Sequence, residues 1–143
     1  MEKTVARILE DKGSEVWTVA PDASVYAALE VMADKGVGAL VVVEEERPVG
    51  IISERDYARK VVLMERSSHD TPVSDIMTAD LVVVAPEDST AACMEMMTNE
   101  RIRHLPVVVD GVLVGIVSIG DVVRSVIDQQ RFMIEQLEGY ITG

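Results

Sequence analysis

Two stretches decide the fold: Gly50-Ile51-Ile52-Ser53-Glu54-Arg55-Asp56 and, 65 residues on, Gly115-Ile116-Val117-Ser118-Ile119-Gly120-Asp121. Each runs glycine, two aliphatics, serine, two variable residues, aspartate, and each reads as an apolar strand passing into a helix at the serine. A hydroxyl beside the free N–H groups of a helix start suits an anion such as phosphate. The aspartate, one turn later on the same face, can accept hydrogen bonds from a ribose diol. One copy alone reads better as structural, the serine capping the helix and the aspartate complementing its dipole. A second copy at the same place in a repeat shifts the balance toward a ligand.

The repeat extends outward from these stretches. At the same offset Val19-Ala20-Pro21 falls on Val84-Ala85-Pro86, Ser24 on Ser89, Met32 on Met97, Val42-Val43 on Val107-Val108 and Arg59 on Arg124. Upstream the offset becomes 68, setting Val5, Ile8 and Leu9 over Val73, Ile76 and Met77. The hydrophobic period changes twice in the same order, predicting strand, helix, strand, strand, helix in each half. Short β-branched runs at 16–20 and 81–85 are expected strands. Ser24 and Ser89 are expected helix N-caps, followed by the stripes Val25, Ala28, Leu29, Met32 and Thr90, Cys93, Met94, Met97. Paired strands at 39–43 and 49–52, and at 105–109 and 112–117, are joined by the polar turns Glu44-Glu45-Glu46 and Asp110-Gly111. The boundaries are expected at 1–66 for the first repeat with its leading helix, 67–72 for a linker of structure breakers, 73–126 for the second repeat and 127–143 for a helical tail.

Bulk properties narrow the function. The chain has 143 residues, 48% hydrophobic, enough for one compact core or two interlocked halves. A formal net charge of -12 argues against a nucleic-acid partner. Cys93, the single cysteine, suits a buried thiol in a reducing compartment, and His69 in the linker lacks companions for a metal site. No apolar run reaches the roughly 18 residues that span a bilayer, so no membrane partner and a cytoplasmic location are expected.

Together, the Val-Ala-Pro start, the methionine-ended first helix, Arg103-His104-Leu105-Pro106-Val107-Val108 and the two Gly-to-Asp stretches resemble the CBS-domain family, specifically its stand-alone paired proteins of bacteria and plant organelles. The resemblance covers about Thr4 to Val126. It implies an α/β fold of two intertwined repeats with pseudo-twofold symmetry, two clefts and a homodimer. It also implies an adenosine-containing ligand, AMP, ADP, ATP, NAD or S-adenosylmethionine, and no catalytic cofactor. On this resemblance Asp56 and Asp121 hold ribose hydroxyls, Ser53 and Ser118 approach phosphate, and Ile51 and Ile116 line the base slots. Val37 and Gly38 flank one base, Ile102 and Arg103 the other, with Thr18 at a strand edge. Gly38-Ala39-Leu40-Val41 departs from the Arg103-His104-Leu105-Pro106 pattern, which makes the clefts unequal. Arg55 against Gly120 makes them differ again: Arg55 either meets a phosphate chain or points to solvent.

The expected function is a nucleotide-responsive regulatory module acting on a protein partner. The alternatives are a purely structural dimerisation unit and an enzyme of unknown type. Against the enzyme stand the lack of a Walker loop, a Cys-His or Ser-His-Asp pattern and a metal-ligand set. His104 is expected to be structural or to contact phosphate, since no nucleophile accompanies it.

Overall fold

The computed structural model describes residues 3–142. Its elements are α1 (Val5–Lys12), β1 (Thr18–Val19), α2 (Val25–Lys35), β2 (Ala39–Glu44), β3 (Arg47–Ser53), α3 (Glu54–Tyr57), α4 (Thr90–Glu100), β4 (His104–Val109), β5 (Val112–Ser118) and α5 (Ile119–Thr142). A single π-helical turn, Ala58–Val62, extends α3, and a short 3-10 turn covers Val73–Asp75. The chain packs as two compact units, one of Glu15–Val82 with Val109–Val114, the other of the described residues to Ser14, Val83–Val108 and those from Gly115 onward.

In the first-repeat unit, Ser24 is the N-cap of α2, its hydroxyl accepting the Ala27 N–H at 3.1 Å. Gly36 at φ 66° ends the helix in the left-handed region that glycine adopts without cost. The expected stripe is buried at Val25, Ala28 and Met32, against Leu40, Val42 and Ile52 of the sheet. That sheet runs β1-β2-β3, with β1 parallel to β2 and β2 antiparallel to β3. Glu45 and Glu46 take φ of 50° and 68°, so the acidic triplet is a tight hairpin turn.

The second-repeat unit repeats the plan. Ser89 is the N-cap of α4, accepting the Ala92 N–H at 3.0 Å, and Thr90, Cys93 and Met97 are buried. Burial pushes the Cys93 thiol up to about 11, with the negative charge of Asp88 adding to it, as befits a core residue. Sequence and structure differ in several places, the strand expected at 16–20 reducing to Thr18–Val19. The strand expected at 81–85 reduces to one bridge, Val84 to Val107. The expected tail does not begin a new element: α5 runs unbroken from Ile119 to Thr142, since no glycine or proline falls between Asp121 and Glu138 to interrupt it. The leading helix α1 packs in the unit of the second repeat, where Val5 N–H donates to Asp88 O and Ala6 N–H to Pro86 O, both at 2.8 Å. None of the described helices is long and apolar enough to cross a membrane.

The glycines that open both repeated stretches are explained by close packing. A Cβ on Gly50 would lie 2.9 Å from Met77 Cγ and 3.1 Å from the Thr78 carbonyl oxygen; one on Gly115 would lie 2.9 Å from Leu9 Cδ2. Leu9 and Met77 are the equivalents already aligned by the repeat. Gly50→Ala is therefore expected to cost about 1–3 kcal/mol of stability. Gly115→Ala should cost less, because a leucine tip can rotate away and a backbone carbonyl cannot. Urea denaturation of both variants checks this, and wild-type midpoints for Gly50→Ala would contradict it.

Candidate functional site

Each unit presents its Ser-x-x-Asp segment where a strand turns into a helix. At the end of β3, the Asp56 N–H donates to Ser53 Oγ at 3.2 Å, while Asp56 Oδ2 accepts the Ser53 N–H at 2.9 Å and its hydroxyl at 3.0 Å. This is a reciprocal capping box. At the end of β5, the Asp121 N–H donates to Ser118 Oγ at 3.2 Å and the Ser118 N–H to Asp121 Oδ2 at 2.9 Å. The capping role weighed from sequence is thus present at both copies, and it fixes where each carboxylate sits.

The surroundings differ. In the first-repeat unit, Val37 and Gly38 line a cleft of about 440 Å³ with Leu29, Met32, Ala33, Gly36 and Glu54. The Glu54 N–H donates to Gly38 O at 3.1 Å, tying the start of α3 to the start of β2. Ile51 lies in β3 opposite Val41 and also pairs with Thr78, and Thr18 sits exposed in β1 opposite Val41. Neither lines that cleft. Arg55 is exposed and forms no ion pair among the described residues. The basic residue that does meet Asp56 is Lys60, one turn on, with Nζ 3.3 Å from Oδ1.

In the second-repeat unit, Ile119 N–H donates to Arg103 O at 2.8 Å, matching the Glu54 to Gly38 bond, and Ile102 N–H donates to Met97 O at 3.1 Å as Val37 does to Met32 at 3.0 Å. Ile116 precedes the cap, and its carbonyl accepts from Lys12 Nζ at 3.0 Å. Lys12, at the end of α1, also donates to Asp121 Oδ2 at 2.7 Å. Asp121 is only 11% exposed, yet stays ionised: burial pushes its carboxyl up, and the Lys12 and Ser118 bonds outweigh that and hold it below the usual range. Its Oδ1 makes no hydrogen bond to any described residue. His104, partly buried at the start of β4, is held below the usual histidine range by burial and then by the Lys12 cation; Asp121 opposes this, and Arg103 adds to it.

The structure therefore brings Ser118, Asp121, Ile116, Arg103 and His104 together around a lysine the sequence reading missed, and sets Arg55 apart. The Asp56–Lys60 spacing was available as an i, i+4 pair. Lys12, 109 positions from its partner, gave no local signal. Glu54 carried one only as the variable residue opposite Ile119. No group of three or more His, Cys, Asp or Glu among the described residues is placed to hold a metal ion.

The depressed His104 value has a fixed sign. A histidine charged more readily when unfolded contributes stability above about pH 6.5, lost as pH falls from there toward its folded value. Asp121, also depressed, contributes above its unfolded value near 4, lost only in stronger acid. Unfolding midpoints at pH 7.5 and 5.5 should thus fall for the wild type and fall less for His104→Gln. Equal losses would assign the acid sensitivity to other groups.

A sequence profile described as the CBS domain matches residues 6–63 and 73–128. The mitochondrial CBS domain-containing protein CBSX3 of Arabidopsis thaliana is 43% identical over 150 residues, covering 98% of this chain and 72% of that protein. A protein with CBS domains from Burkholderia ambifaria MC40-6 superposes with a TM-score of 0.85 at 53% identity, covering 90% of this chain and 96% of that one. The CBS domain pair of protein MJ0100, solved in complex with 5-methylthioadenosine and S-adenosyl-L-methionine, superposes with a TM-score of 0.78 at 25% identity, covering 87% and 95%.

Proposed function

Because the chain belongs to the CBS domain family, matched in both repeats, we propose that it is a regulatory module that binds an adenine nucleotide and passes its occupancy to a protein partner. The observation that carries this is the state of Asp121: a nearly buried, ionised carboxylate with one oxygen unbonded, met by Lys12 and close enough to act on His104. A ribose diol is a donor pair suited to it, and a phosphate is suited to the Lys12 ammonium that meets it. The ligand of the MJ0100 pair, an adenosine thioether or sulfonium, has the same diol and supports the class. AMP, ADP, ATP and NAD all share it. On this reading the phosphate preference lies with the second-repeat unit, where Arg103 stands in place of Gly38, and not with the Asp56 cleft, for which the sequence offers the solvent-exposed Arg55.

This reading includes no reaction: Ser53 and Ser118 are engaged as caps, and the carboxylates that meet them, Asp56 and Asp121, are held in the same caps. A reducing compartment suits the buried Cys93, whether cytoplasm or an organelle matrix like that of the mitochondrial relative. The engaged caps also favour a second reading, a structural unit without a ligand. Calorimetric titration with AMP, ATP, NAD and S-adenosylmethionine separates the two. We expect binding of at least one adenine nucleotide, in preference to its guanine counterpart, and its loss in a double Asp56→Ala, Asp121→Ala variant. Absence of heat and of any melting shift at millimolar nucleotide would leave the structural reading.

The partner expected from α5 is a second copy of this chain. Its exposed apolar residues Val123, Ile127, Ile134, Leu137 and Ile141 follow alternating steps of four and three once Gln130 is included, the seam of a coiled coil with isoleucine at one core position. Ile134, Leu137 and Ile141 are 54%, 60% and 81% exposed, so the seam is uncovered in the single chain. A like helix is what such a seam packs against. Light scattering should give a dimer or larger at micromolar protein and a lower mass for an Ile134→Asp, Leu137→Asp double variant; a wild-type monomer would refute it.

A further inference from the structure

Each repeated aspartate is met by a lysine, but the two lysines come from different parts of the chain. Lys60 reaches Asp56 from its own helical segment and also donates to Ile76 O at 2.9 Å. Lys12 reaches Asp121 from α1 and also donates to Ile116 O at 3.0 Å. The repeat places Ser125 where Lys60 stands, and Ser125 is buried with an Oγ that has no hydrogen-bond partner. The leading-segment offset places Asp80 where Lys12 stands. The second repeat has no lysine at that position of its own helix and receives one from a helix far away in sequence.

We infer that Lys12 is a specificity-determining residue of the Asp121 site: its ammonium holds the place on the carboxylate that a ribose hydroxyl takes, yields it when ligand binds, and then pairs with the ligand's phosphate. The inference rests on the adenine-nucleotide reading above. Asp121 Oδ2 already accepts two hydrogen bonds, from the Ser118 N–H and from Lys12, and an oxygen with two lone pairs has no room for a third strong donor. A diol that engages both carboxylate oxygens must therefore displace one donor. The backbone N–H is fixed by the cap. Lys12 is 30% exposed, sits on a flexible four-carbon stem at the last position of α1, and is followed by Gly13 at φ 93°. Its departure leaves the buried Val5 and Ile8 of α1 in place. A nucleoside breaks the Lys12–Asp121 pair and returns nothing to the ammonium. A nucleotide returns a phosphate, so the site discriminates by the phosphate through a residue that is not part of the repeated segment.

The test uses full-length protein carrying Asp56→Ala, which leaves the Asp121 site, with Lys12 either intact or changed to Met. Adenosine and AMP are titrated into each by calorimetry. Adenosine is expected to bind roughly tenfold tighter to the Lys12→Met protein, the scale of one hydrogen bond to a charged group. AMP should gain nothing or weaken, so that the AMP-over-adenosine preference collapses, while Lys12→Arg retains it. Should Lys12→Met unfold the protein, Lys12→Gln removes the charge with the stem kept and carries the same comparison. Measurable adenosine and AMP binding with an unchanged ratio across these variants overturns the role of Lys12 and leaves the nucleotide reading standing. No binding of either compound at millimolar concentration to the wild type or to any variant overturns that reading and the inference with it.

Discussion

The reciprocal cap between serine and aspartate is the constraint on which both halves of the molecule depend. An apolar strand must stop and a helix must start within one residue, and the first N–H groups of that helix have no partner in the backbone. Ser53 and Ser118 meet that need with a hydroxyl, and Asp56 and Asp121 return a carboxylate to the N–H of the serine itself. Such caps are worth about 1 kcal/mol each. Their larger effect is positional, because the exchange of bonds fixes the aspartate side chain against the strand end. Structure and recognition are therefore not rival explanations here: the cap uses one carboxylate oxygen and presents the other.

What the repeat duplicates is this device, and what it varies is the company the device keeps. Burial makes an ionised carboxylate costly unless a cation or N–H groups offset it. At Asp56 the offset comes from Lys60, a local i, i+4 pair that forms whenever the helix forms. At Asp121 it comes from Lys12, a contact made only when α1 packs on the second repeat. The same carboxylate is thus a local feature in one unit and a tertiary one in the other. At the position of Lys60 the second repeat has Ser125, buried with no partner for its Oγ among the described residues.

The parts of the fold legible in the sequence are those governed by near neighbours. Ser24 and Ser89 cap where expected, the stripes of α2 and α4 bury all their expected residues but Leu29 and Met94, and the chain turns at Glu45-Glu46 within the acidic triplet. Features decided by distant contacts were less legible. Leu81 to Ala85 has the composition of a strand, yet only Val84 finds a backbone partner. The continuity of α5 was hidden by its composition: past Val126 the helix keeps its period while its apolar residues become exposed, so burial ends before the helix does. At the site, the Gly, Ser and Asp positions were legible because they recur. Lys12 was not, because its repeat equivalent is an acid and its partner lies 109 residues away.

The charge of the whole chain sharpens the meaning of the local arrangement. With a formal net charge of -12, the average surface repels a phosphate, and long-range attraction cannot gather an anionic ligand. A cation that offsets this repulsion must lie close to its anion, within the range where salt does not screen it. Lys12 and Arg103 both act on the neutral His104 in the second-repeat unit, and the first has Asp80 and Gly38 at the positions of those two cations. The two units therefore carry different local fields, Lys12 and Arg103 in one against Lys60 in the other, set by residues outside the caps, the glycine contacts and the buried stripes. A repeat can separate the selectivity of its two halves in this way without altering the fold that holds them, because the residues that tune the field are not those that build the core.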